Sequence, residues 1–264
     1  MQRSTLPGGV ELIFDDPRST VEVRLARPEV RNAQTMATWA SLAQAAEIIG
    51  DRADIELVVL RGAGSGFSAG LDLRLVQGRG PADEGDLSAL LAGDDNQVKQ
   101  AIAGFQRGFT CWRELPVIVV AAITGHAIGA GFQLALAADL RVLSDDAVFV
   151  MAEARLGLVP DLGGTRRLVE LVGYARALEL CVTAAPVDAH RADRIGLANT
   201  VIAKEEFEAG LTRYLDALLA VDARVRRSLK SLMINASPAS ALEDQLAAER
   251  RAQVPLLRRL SPSR

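Results

Sequence analysis

Glu153 and Asp161 are carboxylates eight residues apart, downstream of a glycine-rich stretch (Gly125, Gly129, Gly131) that joins an apolar run to a run of small residues. Side chains of this type can carry protons at a reacting carbon. A glycine turn that opens a helix presents backbone N–H groups that lack intrahelical partners, at the positive end of the helix dipole. Such a turn suits a developing anion. Plainer roles exist for the same residues: Glu153 can pair with Arg155 or Arg166, Asp161 can cap a helix from Gly163 onward, and Gln133 can be a satisfied polar group lining a pocket. A second glycine loop, GAGSGFSAGLDL, starts at Gly62 and contains Gly66-Phe67-Ser68-Ala69-Gly70, the G-x-S-x-G pattern of a hydrolase nucleophile elbow, with His126 or His190 as a candidate base. An elbow serine follows its strand at once, whereas this strand is expected to end near Arg61, seven residues earlier. A phosphate-binding loop would need Gly-Lys-Ser/Thr, and a dinucleotide fingerprint would need a third glycine after Gly129-Ala130-Gly131; both are missing.

The elements that must position these residues follow from periodicity and turn chemistry. Residues 10–15 and 20–26 alternate apolar and polar side chains around Asp16-Pro17-Arg18, which predicts a hairpin. Asn32 and Thr35 stand where a helix over 36–50 would be capped. A buried strand is expected over 56–61, a short helix near Leu71, and a mobile surface loop with one helical turn over 77–95. A helix over 97–114 ends at Leu115-Pro116 and gives way to a central strand over 117–123, the glycine turn and a helix over about 131–138. Two short strands and the carboxylate loop follow. Helices are expected over 165–172, 175–183 and 188–194, a strand over 199–202, and further helices over 204–221, 223–236 and 239–251. The division is a core over 1–203 and a helical region over 204–264. Strands followed by a helix recur, as in a layered α/β fold whose glycine loops share one edge.

At 264 residues and 49% hydrophobic, the chain is long enough for one large domain with a substantial core. A formal net charge of -3 gives no reason to expect nucleic acid as a partner. Two widely spaced cysteines, Cys111 and Cys181, fit neither a disulfide framework nor a metal site, and a reducing cytoplasm is the simplest compartment. The apolar run over 117–138 is interrupted by glycines, His126 and Gln133, which fits strand, turn and helix better than a membrane span.

Four segments, RPEVRNA (from Arg27), FSAGLDL (from Phe67), GHAIGAGFQLALAADLRV (from Gly125) and GLVPDLGGTRRL (from Gly157), together resemble the crotonase superfamily of enoyl-CoA hydratases and isomerases. The resemblance runs in order over about residues 10–202. It implies an α/β fold, a crotonase-like spiral of strand-strand-helix repeats with a C-terminal helical region that mediates homotrimers or dimers of trimers. It also implies an acyl-CoA thioester as ligand, with coenzyme A part of the substrate and no separate cofactor or metal. Two main-chain N–H groups would bind the thioester oxygen, those of Leu71 and Ala130; because the donors are backbone groups, Ala at 130 in place of the family's usual Gly does not impair them. Ser68, Ala69, Asp72 and Leu73, with Ala26 at the end of the hairpin, would line the adenine and pantetheine path. Of the two hydratase carboxylates the second is matched by Glu153, while the first position is Gln133, whose amide can hold a water but cannot exchange a proton. Asp161 falls where several isomerases of the family carry a catalytic Asp. The resemblance thus favours a double-bond isomerase with Asp161 as principal proton carrier and Glu153 as assistant. The alternatives are a hydratase using Glu153 and a water on Gln133, and a catalytically silent acyl-CoA-binding protein. The tail, AQVPLLRRLSPSR, lacks a clear match to the Phe and basic residue with which many relatives reach a neighbouring subunit's coenzyme A.

Overall fold

The computed structural model describes residues 2–76, 92–236, 244, 246–248 and 250–253. Most of the expected surface loop over 77–95 and of the expected helix over 239–251 lies outside them. Among the described residues ten strands form two sheets: a large one in the order β1-β2-β3-β4-β5-β7-β10 and a small one in the order β6-β8-β9. The hairpin is β2 (Val10–Asp15) and β3 (Thr20–Leu25), close to the expected bounds, with apolar residues alternately buried. A strand not expected from the sequence, β1 (Gln2–Leu6), extends the hairpin at the sheet edge; its polar QRST carries no alternation because most of it is exposed. From β3 onward the large sheet is parallel through β4 (Leu57–Gly62), β5 (Ile118–Ile123), β7 (Leu140–Ser144) and β10 (Thr200–Ile202).

The repeat expected from the sequence is visible as long strand, short strand, helix. β5 is followed by β6 (His126–Ile128) and the helix Ala130–Ala137; β7 is followed by β8 (Val148–Val150) and, after the carboxylate loop, by the helix Gly164–Val172. In the preceding turn β4 leads to Ser68, which bridges Ala127 of β6, and then to the helix Leu73–Val76. β9 (Val187–Asp188) closes the small sheet against β8. We number the helices α1 (Met36–Gly50), α2 (Leu73–Val76), α3 (Asp95–Glu114), α4 (Ala130–Ala137), α5 (Gly164–Val172), α6 (Tyr174–Thr183), α7 (Ala189–Arg194), α8 (Phe207–Leu219) and α9 (Ala223–Asn235).

Central strands are buried on both faces, so their sequence is continuously apolar rather than alternating. Along β4 and β5, Val58, Leu60, Val119, Ala121 and Ile123 face the main core, shared with α1, α3 and α4. Leu57, Val59, Val120 and Ala122 face a second core closed by Phe207, Leu211 and Leu215 of α8. Trp39 of α1 packs on Phe105 and Phe109 of α3, with ring centroids 5.0 and 6.1 Å apart. α9 is pinned by a buried pair, Lys230 to Asp139 at 2.7 Å, with a second bond to the Val117 carbonyl at 2.8 Å, and by Arg226 on Glu56. Among the described residues no helix is long and apolar enough to cross a membrane.

Candidate active site

The two glycine loops meet. Asn32, in the left-handed conformation with φ 53°, does not cap α1; Thr35 does, accepting from Thr38 N. The Asn32 amide instead donates to the carbonyls of Ala63 and Gly66, tying RPEVRNA to the following loop. The Ser68 hydroxyl is buried: it donates to Asn32 O at 2.7 Å and accepts from Gln34 Nε2 at 3.0 Å and Gly70 N at 3.1 Å. No histidine touches it among the described residues, which removes the nucleophile-elbow reading. Through this loop the N–H groups of Ser68, Ala69 and Asp72 donate to His126, Arg31 and Gln34 carbonyls. The Leu71 N–H has no acceptor among the described residues.

The second donor is the first residue of α4. Gly129, at φ 50° and ψ -118°, turns the chain so that the Ala130 N–H starts the helix without an intrahelical acceptor. A Cβ added to Gly70 would lie 3.4 Å from Ala130 N and 2.4 Å from the Ile128 carbonyl; one added to Gly131 would lie 2.7 Å from the Ser68 carbonyl. Only glycines at 70 and 131 let the loops approach this closely. Gly131→Ala is therefore expected to destabilise the protein by about 1–3 kcal/mol through overpacking, measured by urea denaturation.

Glu153 sits beside this turn, its Oε1 3.4 Å from where a Cβ on Gly129 would be. Gln133, buried on α4, holds it: Nε2 donates to Glu153 Oε1 at 2.7 Å, while the Gln133 carbonyl oxygen accepts from Leu162 N at 3.0 Å and Gly164 N at 3.3 Å. Two backbone donors can face only an oxygen, so the amide has one orientation. Glu153 Oε2 is buried and without a hydrogen-bond partner among the described residues. Neither arginine suggested by the sequence neutralises it: Arg155 donates to the Ala184 carbonyl at 2.7 Å, and Arg166 pairs with Glu170. Burial pushes the Glu153 carboxyl up, and the nearby Asp161 charge adds to this against the hydrogen bond from Gln133. Asp161, on the exposed stretch between Pro160 and Leu162, is also pushed up by desolvation, and it does not cap α5, whose N-cap is Gly163. A base that must be ionised loses activity on protonation. The acid limb of kcat/KM is therefore expected above the ordinary glutamate value of about 4.3, with activity rising as pH rises through it, read from a pH–rate profile.

Of the other expected site residues, Ala69 and Leu73 lie on the loop and at the start of α2, and Ala26 follows β3, with its N–H on Gly9 O. Asp72 is buried and paired with Arg74 at 2.6 Å and Arg27 at 3.4 Å, which holds its carboxyl below the usual range against desolvation. The Ser68 and Asp72 side chains are thus engaged within the protein. Behind Gln133 lies a cavity of about 670 Å³ lined by Phe109, Leu162, Gly164, Arg113 and Arg167. Among the described residues no His, Cys, Asp and Glu group has the arrangement of a metal site.

The sequence profile of the enoyl-CoA hydratase/isomerase family matches residues 15–260. A Rhodobacter capsulatus protein provisionally named an enoyl-CoA hydratase is 34% identical over 233 residues, covering 78% of this chain and 84% of its own. The peroxisomal Delta(3,5)-Delta(2,4)-dienoyl-CoA isomerase of Arabidopsis thaliana is 31% identical over 216 residues, covering 79% and 75%. A Thermobifida fusca YX protein provisionally described as an enoyl-CoA hydratase, solved in complex with acetoacetyl-CoA, superposes with a TM-score of 0.87 at 41% identity, covering 96% of each chain.

Proposed function

The chain belongs to the enoyl-CoA hydratase/isomerase family, and from that premise we propose that it shifts a carbon–carbon double bond along the acyl chain of an enoyl-CoA thioester. The observation that carries this reading is the fixed Gln133 amide: the group bonded to Glu153 is a donor that cannot exchange a proton, which leaves a single carboxylate at the oxyanion turn. The complex of the Thermobifida fusca relative with acetoacetyl-CoA supports an acyl-CoA substrate. The thioester oxygen accepts hydrogen bonds from Leu71 N–H and Ala130 N–H. Glu153 then removes a proton from C2 of a 3-enoyl thioester, the negative charge spreads over the dienolate held by those donors, a carboxylic acid delivers a proton at C4, and exchange with solvent returns Glu153 to the carboxylate and the second carrier to the acid. The position of Glu153 beside Gly129 supports it as the base at C2, with Asp161 as the second proton carrier; this reverses the order that the sequence alone favours, Asp161 as principal carrier and Glu153 as assistant.

One observation favours hydration as a second reading. The second amide hydrogen of Gln133 and the unpartnered Glu153 Oε2 could together seat a water. The deciding experiment incubates the protein with a 3-enoyl-CoA and, separately, a trans-2-enoyl-CoA in deuterated water, following products by mass spectrometry. Conversion of the first to the conjugated 2-enoyl thioester, with slow hydration of the second, is the expected result. Hydration at a comparable rate would overturn it, and silence on both with binding retained would make the protein an acyl-CoA binder. The exposed stripe of Tyr174, Leu178 and Val182 on α6 supports assembly into homotrimers or dimers of trimers, for which light scattering is the check.

A further inference from the structure

The segment that carries both carboxylates crosses the surface with little packing of its own: Leu156, Leu158 and Val159 are exposed, and the turn over Glu153–Leu156 ends at Gly157 in the left-handed conformation. Three side chains tie it down. Gln133 holds its middle from below, through Glu153, Leu162 and Gly164. The other two bind main-chain oxygens. Arg155 extends from the Glu153 turn to the carbonyl of Ala184, at the end of α6, at 2.7 Å. Ala184 is a non-glycine residue at φ 49°, so its backbone conformation is unusual and its carbonyl direction is specific to it. Gln106, on α3, donates from Nε2 to the Asp161 carbonyl at 2.7 Å.

We propose that Arg155 and Gln106 are positioning residues, one for each proton carrier: Arg155 sets Glu153 by anchoring its turn to α6, and Gln106 sets Asp161 by anchoring its backbone to α3. The assignment rests on the reading of Glu153 and Asp161 as proton carriers. Its physical basis is that proton transfer at carbon demands placement to a fraction of an ångström, and a displacement of about 1 Å can cost about 100-fold in rate. A bond to a carbonyl fixes position without forming an ion pair with either carboxylate. The two ties join the segment to different helices, α6 and α3, so each can be released while the other holds. Burial pushes the Cys181 thiol of α6 up and the Glu153 charge adds to this, which agrees with α6 being the wall against which Glu153 is set.

The test uses the whole chain with Arg155→Met, Arg155→Lys and Gln106→Leu. Each of Arg155→Met and Gln106→Leu is expected to lower kcat for an enoyl-CoA about 10-fold with KM nearly unchanged, and Arg155→Lys, which can still donate to the Ala184 carbonyl, recovers most of the loss. Carbon-13 titration of the two carboxyls supplies a readout independent of turnover. Arg155→Met, by releasing the Glu153 turn, moves the Glu153 midpoint and leaves that of Asp161 in place, and Gln106→Leu does the converse. Midpoints that stay where they are in both variants, or move together in each, would overturn the proposal, as would Arg155→Lys behaving like Arg155→Met. If the parent protein turned over no enoyl-CoA, the proposed function would fail while the titrations still decided the two ties.

Discussion

Glu153→Gln is expected to reduce kcat by about 1,000-fold, within the range by which a positioned general base accelerates proton transfer, while the Kd for an acyl-CoA changes little. The substitution keeps shape and volume. The carbonyl oxygen of the new amide can take the place of Oε1 and accept from Gln133 Nε2, so the loop keeps its central tie. What is lost is, among the described residues, the titratable group beside the Gly129 turn, since Gln133 cannot substitute and Asp161 lies further along the loop. Steady-state kinetics and calorimetric titration with an unreactive acyl-CoA separate the two effects. A loss smaller than about 10-fold, against the general-base range, would move the C2 proton to Asp161.

Ala130→Pro should cost nearly as much, about 100- to 1,000-fold in kcat, the usual effect of deleting one donor to a developing oxyanion. The experiment is possible because of where the residue stands. Ala130 opens α4, and the first position of a helix accepts proline since its N–H has no intrahelical partner there. The substitution therefore replaces the N–H by the ring Cδ while preserving the helix, so the donor is lost and its place is filled, and thermal melting should confirm an intact fold. Ala130→Gly keeps the N–H and should retain near-parental kcat, which separates the donor from the side chain.

Much of this arrangement is legible in the residues themselves because it is local. The glycine turn before α4 and the apolar run of β5 leave marks in composition and spacing, and Thr35 announces a helix start by its type. What is not legible depends on contacts that the residue types do not announce. β1 is a strand because β2 offers it an edge, and its exposed QRST shows no period-2 pattern. β6 reads as part of a glycine turn, since three residues acquire strand character only by pairing with β8. Gln106 and Arg155 are invisible for a related reason: each binds a main-chain carbonyl, and a carbonyl has no residue type that could betray its partner. Ser68 shows the converse error, a serine in a catalytic-looking pattern whose hydroxyl is consumed in stitching two loops together.

The two backbone N–H groups that hold the Gln133 carbonyl have a consequence for how such a site can change over time. They fix one terminal atom of residue 133 and thereby dictate where the other falls, 2.7 Å from Glu153 Oε1, whether it is nitrogen or oxygen. With nitrogen the pair is neutral plus anionic and comfortable over a wide pH range. With oxygen it becomes two carboxylates at contact distance, which must share a proton and titrate as a unit. Glutamine and glutamate codons differ at a single base. The fold thus provides a socket that a lineage can fill with either a lone base or a coupled acid–base pair by one point mutation, with no backbone adjustment to wait for.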